Sequence, residues 1–283
     1  MSDLTIALPT FDRRAVLEHT IDCYLTLAAR FPLLVIDDGS HDGTADWLRG
    51  LGLTVLRHPR RRGLPAARNT ALRAAKTRWV LFGEDDVLFP ADHPTALLAE
   101  TQRLGARHPL GAVAGRLFAG DGWTIGARPT DSASTLLDER LWTADFAAAL
   151  SQARPLPSLH ACALVDRAAA LAVGGYDESL TASAFREESD LYARLWHAGY
   201  SCWLTPATWA VHVRHRLGGG CRGRTGLGAK LVNRLSYWRN NARFADRHHR
   251  LWWRWCPQTA PARIKLRWAG RIAGQAWAAW GTR

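Results

Sequence analysis

Residues 79–90 read WVLFGEDDVLFP, an apolar run of strand length that empties into three consecutive carboxylates, Glu84, Asp85 and Asp86. Adjacent negative charges oppose one another's ionisation. A divalent cation carrying a diphosphate would satisfy them, because Mg²⁺ is ordinarily held by one or two carboxylates together with substrate phosphate oxygens. A solvated acidic turn is the alternative that this segment alone leaves open. A second acidic cluster stands downstream in FREESDLYARLWHAGY, residues 185–200, where Leu191, Leu195 and Ala198 fall at helical spacing behind Glu187, Glu188 and Asp190. Those acids crown a helix N-terminus, where the helix dipole favours each by roughly 0.3–1 kcal/mol. That interaction explains one or two of them without any chemistry.

Such groups need elements that bring them together. The apolar runs LTIAL (4–8), LLVI (33–36), TVL (54–56) and WVLF (79–82) are separated by stretches long enough for a helix and two loops. The pattern is βαβαβαβ and predicts a parallel sheet, with ligand crevices at the carboxyl ends of its strands. The segments that follow the strands suit such a crevice: PTFDRR (Pro9 to Arg14), DDGSHDGT (Asp37 to Thr44), RHPRRRGLPAARNTAL (Arg57 to Leu72) and the carboxylate triple. In DDGSHDGT, Ser40 and Asp42 are N-cap candidates, and Gly39 and Gly43 permit a tight turn. Asp37 or Asp38 could accept hydrogen bonds from a nucleobase imide or a ribose hydroxyl. Arg68 and Asn69 begin a helix with Ala66, Ala67, Ala71 and Ala74. A guanidinium there can meet base or phosphate, or lie on the surface. Arg60, Arg61 and Arg62 read as a solvated basic face and carry no assignment.

The set PTF, VIDDGSHDGT, GLPAARNTAL and LFGEDDVLFP, in this order and spacing, resembles the family 2 glycosyltransferases of GT-A fold over roughly residues 4–215. The resemblance implies a Rossmann-like α/β domain over 1–215, with a mixed, mainly parallel central sheet flanked by helices. It implies inverting transfer of a hexosyl or deoxyhexosyl group from a nucleotide diphosphate sugar, UDP- or dTDP-linked, to an acceptor hydroxyl, with Mg²⁺ or Mn²⁺ as cofactor. Pro9, Thr10, Phe11 and Arg13 would line the nucleotide sugar, together with Asp38 and Arg68. In the family's DxD motif Glu84 takes the first acidic position, near the ribose, and Asp86 the last, on the metal. Asp85 is left as a supporting or donor-sugar residue. Glutamate in first position departs from the pattern and makes the ribose contact a longer reach.

By the same resemblance, aligned on DLxxRLxxAGY, Glu188 is the general base, with Glu187 and Asp190 as the other candidates. General-base assistance is worth typically ~10²–10⁴-fold. GGYDESL (Gly174 to Leu180) resembles the acceptor-side loop, in which Asp177 or Glu178 could contact an acceptor hydroxyl; a plain turn is the other reading. CWLTPATWAVHVRH (Cys202 to His215) reads as two short strands around Pro206. His212 stands where family members place a histidine that joins the metal, and an imidazole could join Asp86 around the cation. The QxxRW motif and membrane helices of the processive synthases are absent, which favours addition of a single sugar. The expected acceptor is a lipid-linked glycan or a cell-envelope polysaccharide precursor. The alternatives are a polyprenyl-phosphate sugar synthase and a non-catalytic nucleotide- or nucleic-acid-binding protein.

Charge divides the 283 residues unevenly. Residues 1–212 hold 21 Lys plus Arg against 24 Asp plus Glu, whereas residues 213–283 hold 16 basic residues against the single acid Asp246, and seven of the 14 tryptophans. Residues 216–283 form the expected second unit, a glycine-rich lid or linker followed by helices over about 227–250 and 262–280. In the latter, Ile264, Trp268, Ile272, Gln275 and Trp277 fall on one side, and Arg263, Arg267 and Arg271 on another. This pattern describes an interfacial helix, and each basic residue near an anionic leaflet adds roughly 1 kcal/mol. No run of 18 apolar residues exists, so the tail is expected to lie on a membrane and not span it. Nucleic-acid binding is the competing reading, but it leaves both acidic clusters unexplained, and the negative first part would repel a polyanion. A third reading packs the tail on the catalytic domain or another subunit, with its tryptophans as core. In Leu217 to Gly228, Arg222 or Arg224 could neutralise a leaving diphosphate, or the stretch is a plain linker. The start MSDLTIALPT carries no secretory pattern, and five scattered cysteines without CxxC suit a reducing compartment. The expected location is cytoplasmic, at the inner face of the cell membrane.

Overall fold

The computed structural model describes residues 3–138, 142–180, 185–215, 217, 227–255 and 269. Its first half has the expected alternation: β1 (Leu4–Thr10), α1 (Arg14–Ala28), β2 (Leu33–Asp37), α2 (Thr44–Gly50), β3 (Thr54–Arg57), α3 (Leu64–Ala74) and β4 (Trp79–Phe82). Then come β5 (Val87–Leu88), α4 (His93–Gly105), β6 (Leu110–Gly120), β7 (Leu137–Asp138), β8 (Thr143–Ala144), β9 (Arg154–Pro155) and β10 (Leu164–Asp166). α5 (Arg167–Ala172), α6 (Glu187–His197), β11 (Ser201–Val213) and α7 (Leu227–Trp255) complete the described chain.

Among the described residues nine strands form one sheet in the order β3-β2-β1-β4-β10-β6-β11-β5, with β9 added on β11. β1 to β4 pair in parallel, β10 runs antiparallel to both β4 and β6, and β11 is parallel to β6. The sheet is therefore mixed and mainly parallel. All seven residues of β1 and all four of β4 are buried, as expected of strands covered on both faces. One cover contains Leu17, Ile21 and Tyr24 of α1 with Leu97 and Leu104 of α4, packed against Ile6, Leu8 and Leu81. The other contains Ala67, Ala71 and Leu72 of α3 with Leu191 and Leu195 of α6, packed against Ala7, Val80 and Phe82. Because β1 to β4 all point one way, the segments after Thr10, Asp37, Arg57 and Phe82 emerge at one edge.

Two expectations are corrected, and one of the three readings of the C-terminal extension is met in α7. Residues 201–213 form one strand, not two; Pro206 lacks an N–H, and the pairing with β6 absorbs it as a register shift between Leu204 and Trp209. Neither Ser40 nor Asp42 is the N-cap of α2, since Gly43 holds that position in a left-handed conformation. Ser40 Oγ instead accepts from the Asp12 N–H at 2.9 Å, and Asp42 from the Arg14 N–H at 2.9 Å, so both tie the β2–α2 loop to the β1–α1 loop. Finally, the described part of the C-terminal extension does not stand apart. Phe244, Ala245, Leu251 and Trp252 of α7 are buried with Ala193 of α6 and Trp142, with Trp142 and Trp252 stacked at 5.8 Å. Trp252 of α7 thus serves as core, as in the third reading of the tail, whereas Trp238 is exposed. Arg222 and Arg224 lie outside the described residues, as does the expected 262–280 helix apart from Ala269.

Candidate active site

The carboxylate triple sits in the turn between β4 and β5, and α1 holds its backbone in place. The Tyr24 hydroxyl donates to the Glu84 carbonyl at 2.6 Å and to that of Val87 at 3.3 Å, while Thr20 donates to the Asp85 carbonyl at 2.8 Å. A Cβ on Gly83 would lie 2.6 Å from the Tyr24 hydroxyl oxygen, so the turn needs glycine there for this anchor to reach it. The three side chains then diverge toward different partners.

Asp85 and Asp86 share Arg13. Its guanidinium donates to Asp85 Oδ1 at 3.0 Å and to Asp86 Oδ2 at 2.7 Å, and Thr10 donates to Asp85 Oδ2 at 3.4 Å. Asp86 also receives two imidazoles from the end of β11, with His212 Nε2 at 3.3 Å and His215 Nε2 at 3.2 Å. Burial pushes the Asp85 carboxyl up to about 7, with neighbouring Asp86 and Glu84 adding to the shift and Arg13 opposing it. Burial acts on Asp86 in the same sense, but the hydrogen bond from His212 and the charges of His212 and Arg13 outweigh it and hold that carboxyl well below the usual range. The crowding is thus resolved by unequal ionisation: Asp86 carries the firm negative charge and Asp85 yields.

The residues around Asp86 are the place to test for a divalent cation. One carboxylate and two imidazoles are the right donor types for a first-row metal such as Mn²⁺. As they stand they are hydrogen-bonded to one another and to Arg13, and among the described residues no three His, Cys, Asp or Glu side chains are spaced as a ready-made metal site. The donor chemistry fits, and the present spacing is that of side chains hydrogen-bonded to one another.

Glu84 points the other way, to Arg68. That arginine is fully buried, so neither a surface position nor an open cleft wall describes it. It pairs with Glu84 Oε1 at 3.2 Å and Glu187 Oε1 at 2.5 Å, beside the rings of Phe82 and Tyr176. Two acids far apart in the chain are brought together by this guanidinium. Burial pushes Glu187 well above the usual carboxylate range despite Arg68. Glu188, the next residue, is half-buried and also raised by burial, with Arg68 opposing and Glu84 reinforcing the shift. Asp190 is held elsewhere: His248 and Arg247 of α7 reach its Oδ1 at 2.9 and 2.8 Å, and Arg194 its Oδ2 at 2.8 Å.

The remaining expected residues occupy supporting positions. Asp38 is buried, with Oδ1 accepting from the Arg62 N–H at 2.8 Å and facing His58 Nδ1 at 2.7 Å, and Oδ2 accepting from the Gly63 N–H at 2.7 Å. Both of its oxygens therefore shape the loop into α3. Asp37 accepts from the Ser40 N–H at 3.2 Å and pairs with Arg57. Pro9 lies within β1, paired with Ile36, and the Phe11 ring is covered by the Arg61 guanidinium at 4.2 Å. Asn69 donates to the Tyr176 carbonyl and to Glu178, each at 2.9 Å, and accepts from the Tyr176 N–H at 2.7 Å. It thereby fastens the 174–180 loop to α3. Gly175 is essential to that contact, having a φ of +70° and a missing Cβ that would collide with the Asn69 side chain. Asp177 meets Arg247, and Glu178 meets Arg62.

Sequence reasoning missed His215, three residues after His212 in HVRH, and the anchoring pair Thr20 and Tyr24. The histidine spacing was a visible signal, whereas two hydroxyls on an amphipathic helix carried none. It also missed the link from α7 to the base of α6. Arg186, at a φ of +74°, donates to Asn241 Oδ1 at 2.9 Å and to the Trp142 carbonyl at 2.7 Å immediately before Glu187.

A parallel βαβαβαβ unit with an acidic turn at its carboxyl edge, closed by an acid-bearing helix from the second half of the chain, is the GT-A architecture. The chain matches the model of Glycosyl transferase family 2 over residues 5–162, more than half its length, and belongs to that family. Solved structures share the architecture at low identity. TarS 1–349 from S. aureus superposes with a TM-score of 0.57 and 14% identity, over 86% of this chain and 65% of that one. The mannosyltransferase PcManGT from Pyrobaculum calidifontis, in complex with GDP-Man and Mn²⁺, gives 0.56 and 20%, over 95% and 69%. GalNAc-T7 with UDP, GalNAc and Mn²⁺ gives 0.61 and 15%, over 88% and 49%. The chain thus spans less than two thirds of the TarS fragment, and the likeness concerns the fold. No curated protein matches the sequence.

Proposed function

We propose that the protein is an inverting, metal-dependent glycosyltransferase that moves one sugar from a nucleotide diphosphate sugar to the hydroxyl of a lipid-linked glycan or cell-envelope precursor, at an anionic membrane surface. The observation that carries the reading is the bridge of Arg68 between Glu84 and Glu187, which supports a role for the adjoining Glu188 together with the acidic turn. Glu187 is spent on Arg68 and Asp190 on α7, which leaves Glu188, half-buried and raised, as the carboxylate suited to take the acceptor proton. The acceptor oxygen then bonds the anomeric carbon as the bond to the diphosphate breaks, and inversion follows from attack on the face opposite the leaving group. Asp86 and His212, with His215 beside them, would hold the cation. When bound, it would neutralise charge developing on the diphosphate. Arg13, paired with Asp85 and Asp86, would assist with the same phosphates.

Support for a nucleotide-sugar donor and for Mn²⁺ comes from the complexes in which the structural neighbours were solved. The membrane component rests on the basic character of residues 213–283; no described helix is long and apolar enough to cross a bilayer. A thermal-shift panel of UDP-, dTDP- and GDP-sugars with and without Mn²⁺ tests the donor and the metal together. The expected result is stabilisation by one nucleotide class that deepens with Mn²⁺. Equal responses to all donors, or none, would overturn the donor assignment.

A further inference from the structure

α7 runs alongside α6 in the same direction. Tyr237 packs on Phe185 at 4.0 Å between ring centroids, Asn241 bonds Arg186, His248 bonds Asp190, and Trp255 meets Trp196 at 5.8 Å. From Leu227 to Tyr237, ten residues at 1.5 Å each, α7 therefore projects roughly 15 Å past the α6 N-terminus that bears Glu187 and Glu188.

Along residues 231–241 the buried side carries the polar Ser236, Asn240 and Asn241 beside Tyr237, while Leu231 (58% exposed), Val232 (49%), Leu235 (58%) and Trp238 (42%) face outward. Residues 231, 235 and 238 fall on one stripe at i, i+4, i+7, with Val232 at its flank. Arg239 and Arg243 are exposed on the same side, with the acid Asp246 one turn further on. Outward leucine and tryptophan bordered by arginine match the chemistry of the headgroup boundary of an anionic bilayer, where apolar side chains enter and guanidinium groups meet phosphates.

We propose that the outer face of residues 231–243 is the surface by which this enzyme docks on an anionic leaflet, with the mouth of the active site turned toward the headgroups. The inference rests on the membrane reading given above and places the contact in α7, ahead of the 262–280 segment on which the sequence expectation centred. Docking on this overhang would present the acceptor hydroxyl of a membrane-borne substrate to Glu188 from the bilayer side.

The test is co-flotation of the full chain with phosphatidylcholine vesicles, with and without phosphatidylglycerol. It compares wild type with Leu235→Glu/Trp238→Glu and with Arg239→Glu/Arg243→Glu. Wild type should float with the anionic vesicles and be released by salt. Each double variant should bind at least about tenfold more weakly, with unchanged melting temperature and unchanged turnover on a soluble acceptor. If wild type floats and the variants float equally, this face is wrong while the membrane reading stands. If wild type binds neither vesicle, both fail. A wild-type dimer that Leu235→Glu/Trp238→Glu renders monomeric would assign the stripe to a second copy of the chain and overturn the proposal.

Discussion

Replacing Arg68 by methionine keeps the apolar stem of the side chain and removes the charge that joins the two acidic clusters. Arg68 is fully buried and Glu187 is 1% exposed, so the lost pairing leaves a carboxylate that water cannot reach. Glu187 Oε2 has no hydrogen-bond partner even with Arg68 in place, so the carboxylate is already under-satisfied. Removing one member of a buried pair typically costs about 3–5 kcal/mol. Glu84, with a 28% exposed side chain, can turn to solvent and adds little. The expected loss is therefore in that range, a fall in Tm on the order of 10 °C. Its dependence on pH has a definite sign. Burial raises the Glu187 carboxyl in the fold, and without Arg68 nothing opposes that shift. The folded state then binds a proton that the unfolded chain releases near pH 4.3, so Arg68→Met should lose stability as pH rises above about 4 until the folded pKa is passed. Arg68→Met/Glu187→Gln removes the stranded charge and should recover most of the loss. Chemical denaturation from pH 4 to 8 reads all three quantities. A single variant within about 1 kcal/mol of wild type, or a double variant no more stable than the single, would refute the assignment of Arg68 as the counter-charge of Glu187.

Glu188→Gln should lower turnover by about 10²–10⁴ with little change in donor affinity; comparable turnover would remove Glu188 from the base position. Because burial raises the Glu188 carboxyl, the wild-type rate should fall on the acid side above the ordinary glutamate range, a limb that a kcat–pH profile would locate. Asp190 behaves in the opposite sense. Burial would raise it, but the hydrogen bond from His248 and the charge of Arg194 hold its carboxyl well below the usual range. Its contribution to stability is complete above an unfolded pKa of about 3.9 and is lost as pH falls below that value. His248→Leu should therefore flatten the acid side of a stability–pH curve; an unchanged slope would show that the pair contributes nothing. Gly83→Ala forces a methyl group onto the Tyr24 hydroxyl and should cost about 1–3 kcal/mol, with Tyr24→Phe/Gly83→Ala recovering part of it.

The first half of the fold was legible because its strands are covered on both faces. Continuous apolar runs such as LTIAL and WVLF, spaced by helix-length stretches, allow little besides a parallel sheet. Glu84 to Asp86 and Glu187 to Asp190 were legible as clusters because charges at strand and helix ends stand out against those runs. What each carboxylate bonds was not legible. Arg68 looked like a surface or ligand-facing arginine because an arginine on an alanine-rich helix gives no sign of its depth. Only the packing of α3 and α6 on one face of the sheet brings it under both acids. Asp38 and Asn69 likewise belong to recognisable motifs, yet their partners, the Gly63 N–H and the Tyr176 backbone, are set by loop geometry. Pro206 misled in the other direction, since a bulge can carry a proline through a long strand.

The charge asymmetry that suggested contact with an anionic surface has a second structural meaning in α7. Its basic residues do not all face outward: Arg247 pairs with Asp177 and Asp190, and His248 with Asp190. The cations of the C-terminal quarter thus neutralise acids around the α6 N-terminus, much as Arg68 and Arg13 neutralise those of the β4–β5 turn. Glu188 is the exception in this arrangement. Its neighbours Glu187 and Asp190 each have a close cation, while Arg186 directs its guanidinium to Asn241 and the Trp142 carbonyl. Burial raises the Glu188 carboxyl more than the charge of Arg68 lowers it, and among the described residues no cation pairs with it directly, which suits it to accept a proton. The site therefore depends on α7 as much as on the β4–β5 turn. The helix that carries the proposed docking stripe at one end also secures the base of the proposed catalytic carboxylate along its inner side.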